Sequence, residues 1–374
     1  MAQRELYIDR LRTVMTALVV LHHTAIVYGG SGGWFWTELK PSGSPSSQLL
    51  TLLCATDQAY FMGIFFLLAG YFTPPSLEKK GYGRFLADRF LRLGVPLLAF
   101  GLFLGPLTAA IVDWAEGNGF RGTWVWLWQH HHFINGPLWF AQALLIFSLV
   151  YCAWGRVFGA ELAGAARTAK QLPTAQLWLL WAVGVGAGSV AVRQVVPTGE
   201  SVFGLQIGFF SSYIALFALG VAAWRYRWLE GLNWQCARPW VIALPLVWLS
   251  MPVAILVASH LNGLGHSNFA GGLGWTAIFY AFWEPFVACG AIALLLLVFR
   301  QRLNQHSKLW DWLGRRAYAV YIIHPIIVVC ITLSMHGWLA PPLVKFALAG
   351  AIELTVVWLV ADPLVRLPLV RRIV

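Results

Sequence analysis

Long apolar segments recur along the whole chain, and short polar or basic stretches separate them. Ten of these segments reach the roughly 20 residues that a helix needs to cross the hydrocarbon layer of a bilayer. The pattern predicts an all-α integral membrane protein with about ten transmembrane helices. The predicted spans lie near residues 13–30, 49–72, 93–113, 137–155, 174–194, 202–223, 240–260, 273–299, 315–335 and 341–361.

The basic residues provide a second test of this topology, because Lys and Arg collect in cytoplasmic loops. If the N-terminus is cytoplasmic, the inner loops and tails hold all but four of the 26 Lys and Arg residues. The four that remain for the outer half are Lys40, Arg121, Arg193 and Lys345. We therefore expect both termini to be cytoplasmic. Residues 1–374 show no repeat or soluble segment, so we predict a single transmembrane domain.

Composition favours lipid as the solvent of this chain. Hydrophobic residues make up 59% of the chain and charged residues only 11%, whereas soluble proteins carry about 25% charged residues. The net charge of +11 comes from short clusters between apolar segments, which argues against a nucleic-acid-binding face. The five cysteines lie far apart and show no metal-binding spacing, so no metal site is expected. No tightly bound cofactor is expected either.

Ionisable side chains inside apolar segments are the first candidates for chemistry, because charge near the membrane centre is costly. Arg12 lies at the cytoplasmic mouth of the first span, and His23 lies about 16 Å deeper on the same helix face. His22 faces elsewhere. A cation at the mouth and an interior imidazole suit an anionic cytosolic substrate such as acyl-CoA. His23 would accept a proton from a hydroxyl or, alternatively, only bond a neighbouring helix.

Other ionisable residues recur at depth in later spans. His324 precedes Pro325, and a proline inside a helix leaves a backbone carbonyl without its usual donor. The buried carboxylates would orient a histidine, neutralise a buried cation or bond Trp or Tyr donors. These carboxylates are Asp57, Glu284 and Glu353.

Arg89 and Arg92 begin a span and lie three residues apart, which places them on one face of an α-helix. Arginine binds phosphate through two parallel hydrogen bonds. The pair is therefore a candidate phosphate site at the cytoplasmic boundary. Topology and anionic lipid headgroups would explain the same charges.

Two predicted outer loops, residues 31–48 and 114–136, are together rich in Gly, Ser, Trp and His. Aromatic faces with polar donors suit sugar rings, which present C–H faces and hydroxyl edges. An aromatic belt at the membrane interface would explain the tryptophans equally well. Three consecutive histidines, 130–132, cannot all face one ion in regular structure, which disfavours a metal permease.

Five short blocks resemble, in order, the motifs of the type-3 membrane acyltransferases. They extend over residues 5–328, nearly the whole chain. The blocks are Arg12 with His23, residues 65–72 (FFLLAGYF), Arg89 with Arg92 and the following GVP, residues 138–140 (LWF), and residues 317–325 (AYAVYIIHP). Residues 4–7, 70–72, 92–96 and 365–369 further resemble a branch that succinylates osmoregulated periplasmic glucans.

This resemblance implies transfer of a succinyl or acetyl group from cytosolic acyl-CoA to a hydroxyl of an extracytoplasmic glycan. It also implies a multi-pass protein of the bacterial inner membrane. A proton-coupled transporter of a glycan or organic anion is the alternative, because intramembrane histidines and carboxylates also suit proton coupling.

The resemblance and the residues together suggest a role for each candidate. His23 is the general base or a transient acyl carrier, and His324 is a candidate oxyanion donor. The remaining candidates would serve the acyl donor, acyl-CoA. They are Arg12, Arg89 and Arg92 for the CoA phosphates, Asp9 to orient Arg12, and Trp139 and Tyr318 to line the channel.

Overall fold

The computed structural model describes residues 5–130, 132–157, 167–262 and 268–373. Within these ranges regular structure is helical, apart from isolated β-bridges between Tyr28 and Leu39 and between Val202 and Leu205. The all-α prediction is therefore confirmed. Arg4 in the predicted inner tail and His131 in the histidine run lie outside the described residues.

The described α-helices follow one another through short connections. They are α1 (Leu6–Val27), α2 (Pro45–Arg89), α3 (Val95–Ala99), α4 (Gly105–Ala115), α5 (Phe120–Gln129), α6 (Trp139–Val157), α7 (Ala175–Arg193), α8 (Phe210–Arg225), α9 (Trp228–Gly231), α10 (Trp234–Asn262), α11 (Trp275–Arg302), α12 (Lys308–Gly314), α13 (Ala317–Ser334), α14 (Pro342–Leu364) and α15 (Pro368–Arg371).

Eight helical segments of the described chain are long and apolar enough to cross a membrane. One of them is the 71-residue run Pro45–Ala115, which contains both predicted spans 49–72 and 93–113. Helix α1 is not one of the eight, because two arginines and two histidines lower its mean hydropathy. The chain is thus an integral membrane protein. The count of ten spans and the cytoplasmic termini stay predictions.

Two widened turns interrupt the run Pro45–Ala115. The π-helical turns Phe90–Gly94 and Phe100–Leu104 each end two residues before a proline. Proline has no backbone N–H with which to continue the bonding between residues four apart. In the turn before each proline, hydrogen bonds therefore join residues five positions apart, as in the bond from the Val95 N–H to the Phe90 carbonyl.

The chain forms two compact units from interleaved segments. The first unit contains Met1–Ile8, Ala55–Leu86 and Phe147–Asn304, and the second contains Asp9–Cys54, Ala87–Ile146 and Gln305–Val374. The residues to which a role was assigned all belong to the second unit, whereas the buried carboxylates Asp57 and Glu284 belong to the first. The prediction of one domain over residues 1–374 stays a prediction.

Each unit has its own packing. In the first unit the backbones of α2 and α8 approach closely, since a Cβ on Gly70 would meet the Phe217 carbonyl oxygen and one on Gly220 the Leu67 carbonyl oxygen. Small residues permit such approaches between membrane helices. In the second unit, fully buried valines of α1, α13 and α14 form the core around the site: Val20, Val27, Val320, Val328 and Val357.

Residues 114–136, predicted as an outer loop, include the helix α5. Aromatic residues four positions apart contact one another along it, with ring centroids of Phe120 and Trp124 separated by 6.1 Å. The Thr123 hydroxyl also donates a hydrogen bond of 2.7 Å to Asp113 at the end of α4. These local contacts stabilise a helix in a segment whose glycines and polar residues had indicated a loop.

Candidate functional site

His23 of α1 and His324 of α13 meet inside the second unit. His23 Nδ1 lies 3.1 Å from His324 Nε2, and the two rings lie edge to edge in nearly parallel planes, with centroids 5.1 Å apart. His324 is fully buried. The structure thus brings together two histidines that the sequence had singled out separately.

Pro325 determines how the His324 ring is held. In a regular helix the N–H of residue 325 would bond to the carbonyl of Tyr321, but proline has no N–H to give. The Tyr321 carbonyl instead accepts a hydrogen bond of 2.7 Å from His324 Nδ1. The carbonyl that the proline leaves without its usual donor is therefore the group that orients the histidine.

This arrangement assigns the protons on both neutral rings. A carbonyl oxygen only accepts, so His324 Nδ1 carries a proton and His324 Nε2 carries a lone pair. The contact between the rings then requires the proton on His23 Nδ1, which donates to His324 Nε2. His23 Nε2 is left with a lone pair and can accept a proton.

Trp34 covers the His23 ring on the side of the predicted outer loop 31–48. The indole and imidazole rings stack with centroids 3.8 Å apart. The indole N–H of Trp34 is buried and donates to no acceptor among the described residues. A buried donor of this kind is costly unless a bound group accepts from it. Trp34 therefore supplies an unpartnered hydrogen-bond donor on a ring that stacks against His23.

The segment that carries Trp34 is anchored to the helices of its unit. Gly29 has a φ of 110°, which turns the chain just after α1. The backbone N–H of Glu38 returns to donate to the Val27 carbonyl at 3.0 Å, and the Glu38 carboxylate accepts from the largely buried Lys345 of α14. The anchors hold the loop over the end of α1.

Beside His23, the Thr24 hydroxyl donates to the buried Glu353 carboxylate. Glu353 therefore bonds to α1 rather than to the Trp or Tyr donors considered from the sequence. In the first unit, Glu284 pairs with Arg193, and both side chains are almost fully buried. That carboxylate neutralises a buried cation, as one of the sequence alternatives proposed.

Trp34, His23 and His324 form a row of contacting rings, and two tyrosines of α13 extend this row. Tyr321 lies 5.9 Å from His324, and Tyr318 stacks on Tyr321 at 6.3 Å between centroids. The Tyr318 hydroxyl donates to the Arg92 carbonyl, which lacks its usual helical donor because residue 96 is proline. The row thus extends from the π turn that contains Arg92 to His23.

The predicted arginines occupy the same unit. Arg92 lies within the π turn Phe90–Gly94, and its Nε donates to Asp88 at 3.2 Å while the side chain stays about half exposed. Arg89 ends α2 and is half-buried. Because a π turn follows it, the spacing of an ordinary α-helix does not set the relative directions of these two residues.

Arg12 and His23 lie on one continuous helix, as predicted, and Asp9 interacts electrostatically with Arg12. Trp139 begins α6 just after Pro137, whose carbonyl accepts from the Tyr321 hydroxyl. The Trp139 ring contacts the Phe140 ring, and the Phe140 ring contacts the Tyr321 ring with centroids 6.2 Å apart.

The sequence did not identify Trp34 or Tyr321 as site residues. Trp34 is one of two tryptophans in its loop and one of 21 in the chain, and Tyr321 had no feature beyond its place in the block 317–325. Within the described residues no group of three His, Cys, Asp or Glu side chains could hold a metal ion. His130 bonds to the Trp126 carbonyl at 2.9 Å instead.

Comparison with known proteins agrees with the resemblance found in the sequence motifs. Glucans biosynthesis protein C of Escherichia coli strain SMS-3-5 / SECEC is 21% identical over 260 residues, which are 67% of this chain and 66% of that protein. The proteins of the same name from E. coli O9:H4 strain HS and strain SE11 match to the same extent. The match thus spans about two thirds of the length of these relatives. No solved structure matches the chain.

The family comparison extends much further along the chain. An acyltransferase domain, that of the acyltransferase-3 family, matches residues 5–362. This range includes α1 with His23, α13 with His324 and the arginines between them. The chain therefore belongs to the acyltransferase-3 family, and residues 5–362 form its acyltransferase domain.

Proposed function

We propose that this acyltransferase moves a succinyl or acetyl group from cytosolic acyl-CoA to a hydroxyl of an extracytoplasmic glycan, with a periplasmic glucan as the acceptor. The bacterial inner membrane is the proposed location. The name of the relatives, glucans biosynthesis protein C, supports the choice of acceptor. The observation that carries the proposal is the His23–His324 pair, which leaves one imidazole nitrogen ready to accept a proton.

In the proposed reaction a glycan hydroxyl oxygen attacks the carbonyl carbon of the thioester. His23 Nε2 takes the hydroxyl proton as the new C–O bond forms. When the tetrahedral intermediate collapses, the C–S bond breaks and the CoA sulfur takes that proton from His23. The His23 Nδ1–H donates to His324 Nε2 throughout, which stabilises the transient imidazolium. The products are the glycan ester and free CoA.

Trp34 is the donor that we propose for the developing oxyanion. Both nitrogens of His324 are already engaged, one with the Tyr321 carbonyl and one with His23. His324 therefore orients His23, whereas the buried indole N–H of Trp34 has no partner among the described residues. A fixed donor in a site that excludes water stabilises negative charge much better than it would in bulk solvent.

We propose that Arg12, Arg89 and Arg92 bind the phosphates of CoA and that Asp9 orients Arg12. The planar guanidinium group of arginine binds phosphate oxygens through two parallel hydrogen bonds. Tyr318 and Trp139 would line the path of the acyl chain towards His23. The hydrogen bond from Tyr318 to the Arg92 carbonyl supports this path, because it joins the proposed phosphate site at Arg92 to the helix that carries His324.

Replacing Arg92 with alanine should raise the KM for acyl-CoA about 10- to 100-fold, since a charge-assisted bond contributes about 1.5–3 kcal/mol. The KM for glucan should stay unchanged. Initial rates of CoA release, with one substrate saturating, measure both values for succinyl-CoA and acetyl-CoA. Asp88→Asn is the matched control, because it removes the partner of Arg92 and leaves the guanidinium in place. A raised KM for glucan together with an unchanged KM for acyl-CoA would contradict the assignment of Arg92 to the CoA phosphates.

Replacing Pro325 with alanine should lower kcat about 5-fold, because the new backbone N–H would compete with His324 for the Tyr321 carbonyl. Thermal stability should stay the same or rise, since the helix gains a hydrogen bond. The control is Pro285→Ala in α11, another proline inside a membrane helix but in the first unit. Equal kcat values for the two variants and the wild type would show that the proline does not act through His324.

A further inference from the structure

A cavity of about 100 Å³ lies within the first unit, whereas the histidine pair belongs to the second. Helices α7, α8, α9, α10 and α11 contribute its walls. Its lining is almost entirely hydrocarbon and aromatic, with tryptophans from three helices and leucines such as Leu216 and Leu296. Apolar cavities of roughly this size stay dry and accept apolar guests. The walls alone therefore suit a small apolar group or a short segment of a hydrocarbon chain.

Two polar groups break the apolar character of these walls. The indole N–H groups of Trp228 and Trp240 are buried and have no hydrogen-bond partner among the described residues, and both side chains line the cavity. A hydrocarbon would leave both donors unsatisfied, at a cost in free energy. The occupant that fits must carry oxygen acceptors next to its hydrocarbon portion.

The end of the unit at which the cavity lies is basic. Arg225 and Arg227 come directly before Trp228, and Arg238 comes two residues before Trp240. Arg300 donates to the carbonyls of Leu229, at 2.6 Å, and Leu232, and both of these leucines line the cavity.

Two carboxylates, Glu230 and Glu5, lie among these cations. A hydrogen bond from Arg227 lowers the pKa of Glu230, so this carboxylate is ionised, and it pairs with both Arg227 and Arg167. Glu5 interacts electrostatically with Arg167 and Arg300. Arg225, Arg238 and Arg300 are the further cations of this end, which therefore attracts an anionic group.

We propose that this cavity binds one acidic glycerophospholipid from the surrounding bilayer. The segment of one acyl chain next to its ester group occupies the cavity, the ester oxygens accept from Trp228 and Trp240, and the headgroup phosphate lies by the arginines. Each part of the lipid then matches a feature of the site. The proposal assigns no catalytic role to the lipid and is independent of the substrates proposed above.

Native mass spectrometry of the full-length protein in detergent tests this proposal. Phosphatidylglycerol and phosphatidylethanolamine with identical chains are titrated separately, so that only the headgroup charge differs. We expect one phosphatidylglycerol to bind at least about 10-fold more tightly than phosphatidylethanolamine. Equal affinities for the two lipids in the wild-type protein would overturn the proposal without any variant.

Trp228→Phe and Trp240→Phe keep an aromatic ring and remove one donor each. Each change should weaken phosphatidylglycerol binding about 5-fold, and the double variant about 25-fold. Trp181→Phe is the matched control, because Trp181 lines the same cavity and its N–H is not among the buried unpartnered donors. Unchanged binding in the double variant, or an equal loss in Trp181→Phe, would contradict the role of the two indoles.

Discussion

Replacing His23 with alanine is expected to lower kcat by about 10²–10⁴-fold, the contribution that a positioned general base makes. The protein should remain folded and inserted, because His23 is only partly buried and the valine core of its unit stays intact. The reason is chemical. His23 Nε2 is the nitrogen that the hydrogen-bonded pair leaves without a proton. Release of CoA and the mass of the acylated glucan, followed on the purified protein, measure the effect.

His22→Ala is the matched control for this variant. His22 is the neighbouring histidine, and its ring lies edge-on to His23 at 5.5 Å. It lies on a different face of α1 from Arg12, so its loss should reduce kcat only a few-fold. An active His23 variant together with an inactive His22 variant would show that the wrong histidine of α1 has been assigned.

Replacing His324 with leucine should lower kcat about 100-fold, because His23 Nδ1–H would lose the imidazole nitrogen that accepts from it and stabilises the imidazolium. Glutamine at this position should restore most of the rate, to within about 10-fold of the wild type. Its amide oxygen accepts a hydrogen bond close to the place of the imidazole Nε2.

The comparison of these two variants separates positioning from packing. Leucine fills the site with hydrocarbon, whereas glutamine replaces the acceptor, so only a hydrogen-bonding role predicts rescue. The KM values for both substrates should change little in either variant. If glutamine were as inactive as leucine while both proteins had wild-type melting temperatures, His324 would not act by accepting from His23.

The local relations within single helices could be predicted from the sequence. Arg12 and His23 lie on one helix because regular α-helical geometry connects residues eleven positions apart through about three turns. The effect of Pro325 on a carbonyl was also predictable, because it follows from the missing N–H alone. What accepts or donates at that carbonyl depends on rotamers and packing, and the sequence does not contain these directly.

Contacts between distant segments were beyond prediction from one sequence. His23 and His324 are 301 positions apart, and no pattern within either span indicates that their rings meet. The stacking of Trp34 on His23 depends on the turn at Gly29 and on the Glu38–Lys345 pair. Helix α5 was not predicted, because glycines and polar residues in its segment indicated a loop. Contacts between its aromatic residues stabilise the helix nevertheless.

The hydropathy pattern located the apolar segments well and was least informative where function intervenes. Helix α1 carries the candidate base and a candidate phosphate ligand, and the same residues lower its mean hydropathy below that of the eight apolar spans. Polar residues that serve chemistry within a membrane weaken the signal by which a membrane helix is recognised.

The central claim is that donor and acceptor reach His23 from opposite sides of the membrane. The most direct test reconstitutes the protein in vesicles of known orientation and supplies succinyl-CoA and glucan to chosen sides, with His23→Ala as the inactive reference. Acylated glucan should form when the CoA faces the basic loops and the glucan faces the aromatic segment that carries Trp34. Equal product with both substrates on the basic side would contradict the account, because the transfer would then need no passage across the membrane.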